Sequence, residues 1–85
     1  MDLKRILSRG AALRDDITRI RREIHAHPEM GWKEVETSKL VEGRLRELGF
    51  ENIKRGFKGT ESGVFADLRG GRPGPCVALR ADIDA

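Results

Sequence analysis

Apolar residues recur mostly at steps of three and four from Leu3 through Ile6, Leu7, Leu13, Ile17 and Ile20 to Ile24, and the recurrence stops just before Pro28. That spacing lays one apolar stripe along an amphipathic helix. A proline pushes the residue before it out of helical backbone angles, so the helix predicted over about residues 3–27 ends there. Gly10 interrupts the pattern, and a short leading turn followed by a main helix from about Ala11 fits as well as one continuous rod. Asp15 and Asp16 ahead of Arg19 are spaced for exposed ion pairs, worth a few tenths of a kcal/mol each.

A second apolar set, Val35, Leu40, Val41, Leu45 and Leu48, predicts a helix over about residues 34–48, with Gly49 in the place of a C-terminal glycine. Beyond Phe50 the period changes. Residues 52–57 read as an edge strand, and GVFADL, about residues 63–68, reads as a stronger one with Val64, Ala66 and Leu68 on one face. The stretch RGGRPGP collects paired glycines and two prolines, the strongest turn signals in the chain. It leads to CVALRADIDA, whose apolar opening predicts a buried third strand over about residues 76–81. The fold class expected is α/β: two amino-terminal helices, a β-hairpin and a buried strand, with the helices covering one sheet face.

At 85 residues the chain is one small domain or part of one, and any core is modest. The formal charge of +3 is spread over helical faces without aromatic-interleaved strands, which argues against nucleic acid as a partner. One cysteine, Cys76, excludes an internal disulfide and the Cys/His zinc-finger spacings, and fits a reducing compartment. Charged residues interrupt positions 1–20 before any run reaches leader or membrane-spanning length. A cytoplasmic protein with no membrane partner is expected.

Two places could carry chemistry. HAHPE puts His25 and His27 two residues apart, on opposite sides of a helix, whereas metal-binding helices space histidines by four. A histidine at a helix end interacts favourably with the helix dipole, and Glu29 and Glu34 read as turn and helix-start carboxylates. Cys76 opens an apolar run and reads as a buried, inert thiol. In RADID, by contrast, Arg80, Asp82 and Asp84 alternate with apolar residues and face one side at the end of a strand. In α/β folds that is where ligand sites collect. A pair of carboxylates there orients around a cation or is simply an exposed strand end, and the residue pattern alone leaves both open.

The runs RREIHAHPEMGWKEVETSKLVEGRLRELGFE and SGVFADLRGGRPGPCVALRADIDA, in that order, resemble the amino-terminal part of the zinc-type amidohydrolases that cleave N-acyl amino acids. These are the aminoacylases, hippurate hydrolases and indole-acetyl-amino-acid hydrolases of the aminoacylase–carboxypeptidase metallopeptidase family. The likeness runs from about Ile17 to Ala85. It implies that residues 1–85 are the amino-terminal portion of one catalytic domain, in an enzyme with a smaller inserted domain that often mediates dimerisation. It also implies a divalent metal (zinc, or manganese, cobalt or nickel) that activates water against the amide of an N-acyl amino acid.

In the peptidase branch a metal-ligating histidine stands in the slot of Arg80. Arginine cannot ligate a cation, so Arg80 is expected as a fixed positive charge at the site edge. Asp82 matches the aspartate of the same motif and is expected to support the site from behind the ligands. Asp84 receives no role. The family's later His-x-Cys-Gly-His segment, Glu-Glu pair and further histidines have no match here, so no residue of this chain is expected to ligate metal and none is expected bound to it. HAHPE matches a family segment read as structural. The chain by itself is expected to be inactive. The alternative is a non-catalytic truncated module that self-associates through the unpaired edge of its third strand, and a homo-oligomer is expected.

Overall fold

The computed structural model describes residues 2–57 and 59–84. Three helices come first: α1, Leu3–Ala12; α2, Arg14–Ala26; and α3, Val35–Glu47. Two strands follow, β1, Glu51–Arg55, and β2, Val64–Asp67, paired antiparallel as one hairpin. The α/β class expected from the sequence is the one observed.

Asp2 starts α1, its carboxylate accepting the Lys4 amide at 3.0 Å, the usual work of an N-cap aspartate. The first predicted helix is two, and the break falls at Leu13 rather than at Gly10. Leu13 keeps right-handed helical angles, with φ −88° and ψ −7°, and its amide lies 3.2 Å from both the Arg9 and Gly10 carbonyls. Such sharing marks a tightened turn, and the Leu13 carbonyl still accepts the Ile17 amide at 3.0 Å. Gly10 costs helix propensity but no hydrogen bond, so it stays inside α1.

The end of α3 follows directly from Gly49. With φ at +87°, that glycine turns the chain so that its own amide reaches the Arg46 carbonyl and the Phe50 amide reaches the Leu45 carbonyl, both at 3.1 Å. Those two bonds define a Schellman end, which satisfies carbonyls that the helix leaves free. The chain then enters β1. There the register slips between Glu51 and Lys54, and Asn52 takes φ +50° at the bulge while its side-chain Nδ2 donates to the Asp67 carboxylate across the hairpin at 3.1 Å. Asparagine tolerates left-handed angles better than most residues, which suits it to this position.

α3 lies over both strands. Its half-buried Val35, Leu40, Val41 and Leu45 share that layer with Ile53, Val64 and Ala66. Leu68, expected on the same face, lies beyond the end of β2 and is exposed. Between α2 and α3 the link is ionic: Asp16 receives Arg44 on one carboxylate oxygen and Arg19 on the other, the latter at 2.6 Å. Among the described residues no apolar side chain is fully buried; Glu34, Thr37 and Ser38 are the buried ones. One helical layer on two strands has no second layer to close over it, so the apolar stripes remain partly open.

The third strand is the principal correction. Residues 76–81 form no strand, Cys76 is exposed, and Val77 and Leu79 are 78% and 96% exposed. A central strand exists only when neighbours take up its amides and carbonyls, and no neighbouring strand lies beside this stretch among the described residues. The buried thiol expected at Cys76 fails with it.

Candidate functional site

The HAHPE segment closes one helix and opens the next. His27 follows the last residue of α2; its backbone amide bonds the Ile24 carbonyl and its ring Nδ1 lies 3.2 Å from the Glu23 carbonyl. An N–H at Nδ1 thus satisfies a carbonyl at the negative end of the helix. The two histidines part company as their spacing requires. His25 borders a trough floored by Ile17, Ile20 and Ile24, whereas His27 borders a separate depression with Glu36 and Leu40.

Glu29 spans the turn and serves α3. One carboxylate oxygen accepts the Thr37 amide at 2.7 Å and the other the Glu36 amide at 3.0 Å. These are two of the amides that a helix start leaves without partners, and they lie at the positive end of the helix dipole. Hydrogen bonding from Thr37, then from the amides of Thr37 and Glu36, holds the Glu29 carboxyl below the usual glutamate range against a smaller desolvation effect. The glutamate is therefore a fixed anion with both oxygens engaged, which is a poor starting point for proton transfer.

Glu34, 5% exposed, anchors the other side of the turn. Its carboxylate accepts the Ser62 hydroxyl, and its carbonyl accepts the Ser38 hydroxyl at 2.5 Å. Ser38 in turn accepts the Gly63 amide at 2.9 Å. This chain of polar contacts fastens the start of α3 to the entry of β2. The sequence hinted at Glu34 as a helix-start residue but offered no sign of its reach to Ser62, twenty-eight positions away.

The RADID end lies apart from this node. Arg80 and Asp82 face each other at 3.3 Å, with side chains 91% and 75% exposed. Their shared direction is what alternation along an extended chain requires. Asp84 borders the isoleucine trough of α2 rather than joining Arg80 and Asp82 in a closed site. An exposed pair of this kind contributes roughly 0–1 kcal/mol. Among the described residues no three His, Cys, Asp or Glu side chains come together as metal ligands would.

The comparisons with known proteins converge. The chain is 49% identical over 73 residues to thermostable carboxypeptidase 2 of Saccharolobus solfataricus, covering 86% of this chain and 18% of that protein. It is 40% identical over 75 residues to N-acetyl-L-cysteine deacetylase of Bacillus subtilis, covering 88% and 17%. With N-acyl-L-amino acid amidohydrolase of Geobacillus stearothermophilus it shares 36% identity over 84 residues, covering 99% and 21%. No protein-family model and no solved structure matches the chain. The relatives define the class as amidohydrolases and peptidases. Over most of its length the chain matches carboxypeptidases, N-acyl-amino-acid amidohydrolases and IAA-amino acid hydrolases of the aminoacylase–carboxypeptidase family. It spans about a fifth of the length of the curated relatives it matches.

Proposed function

We propose that residues 1–85 are the amino-terminal portion of the catalytic domain of an amidohydrolase that cleaves N-acyl amino acids or similar small amides. The observation that carries this is the identity of 36–49% over most of the chain to carboxypeptidases, deacetylases and acyl-amino-acid hydrolases. These residues serve as scaffold. Glu29, Glu34 and Ser38 lock the first helices to the hairpin, and the chain then runs on to Arg80 and Asp82. In the whole enzyme Arg80 supplies a fixed positive charge at the site edge, and Asp82 supports the site from behind its ligands. Dependence of the whole enzyme on a divalent metal, zinc or manganese, cobalt or nickel, belongs to the proposal and rests on the family resemblance. So does its place in the cytoplasm. Among the described residues no helix is long and apolar enough to cross a membrane.

A chimera tests the scaffold role. The 73 matching residues of the Saccharolobus carboxypeptidase are replaced by those of this chain, and peptidase activity is measured. Retention of activity within roughly tenfold, equivalent to a loss below about 1.4 kcal/mol in the barrier, is expected. A chimera that folds but is inactive contradicts the proposal.

A second reading concerns self-association, favoured by the exposed apolar side chains of α1 and α2 and of residues 76–81. Under it the chain acts as a non-catalytic module that pairs with its own copies.

A further inference from the structure

We draw no further inference here: the strongest candidate, the turn between α2 and α3 where Trp32 takes φ +67° and stands 77% exposed two residues after the exposed Met30, carries nothing because no part of the structure shows what covers it.

Discussion

The Ser38 hydroxyl accepts the Gly63 amide at 2.9 Å, joining α3 to the entry of β2, and Ser38 is the one residue among those described with no exposed surface. Its own proton goes to the Glu34 carbonyl. A side chain with both hydrogen-bonding roles occupied is therefore the pin between the helical layer and the hairpin.

Removing that pin leaves the Gly63 amide without its acceptor. Ser38→Ala is expected to cost about 1–3 kcal/mol, the usual penalty for stranding a buried polar group. Amide exchange locates the loss, with the Gly63 amide exchanging faster in the variant while amides in the middle of α2 are unchanged.

Glu29 gives the fold a dependence on acid. Its carboxyl is held below the ordinary value of 4.5, so the folded state binds this proton less readily than the unfolded chain does. The stabilisation it provides is full above the unfolded value and is lost as pH falls through the lowered folded value. Helix content followed through an acid titration is expected to decline across that window in the native chain. Glu29→Gln is expected to start lower and to lack this component of the decline.

Two glycines are expected to respond in opposite directions to alanine. At Gly56, φ is +88° and an added Cβ would lie 2.5 Å from the Thr60 carbonyl oxygen, so Gly56→Ala is expected to cost more than about 1–2 kcal/mol. Gly43 lies within α3 with open space around it, and Gly43→Ala is expected to add about 1 kcal/mol. Denaturant midpoints of the two variants against the native chain check both signs.

Cys76 is exposed on a stretch that forms no strand. In the absence of denaturant its thiol is expected to react with a disulfide reagent at close to the rate of the unfolded chain. Protection of tenfold or more would instead indicate that residues 76–81 are covered.

Helices and hairpin were legible in the sequence because their causes are local. Pro28 and Gly49 end helices through their own backbone chemistry, and alternation in GVFADL marks a strand without reference to anything else. HAHPE was legible as a helix end for the same reason, since an i, i+2 pair cannot face one way on a helix. Residues 76–81 have the composition of a strand, but a strand also needs partners for its amides, and composition does not supply them. The break at Leu13 depended on how carbonyls are shared through a turn, which the lone signal of Gly10 did not convey. At the candidate site the alternation of Arg80 and Asp82 was readable and their pairing followed. The reach of Glu34 to Ser62 was not, because it joins segments whose proximity depends on the whole hairpin.

We propose that these residues are the scaffold of an amidohydrolase and that they turn over no substrate by themselves. This is tested most directly by assaying residues 1–85 alone for hydrolysis of an N-acetyl amino acid, with added zinc and again with a chelator. The rate is expected to equal that of the uncatalysed blank under both conditions. Turnover that appears with zinc and disappears with the chelator would contradict the account.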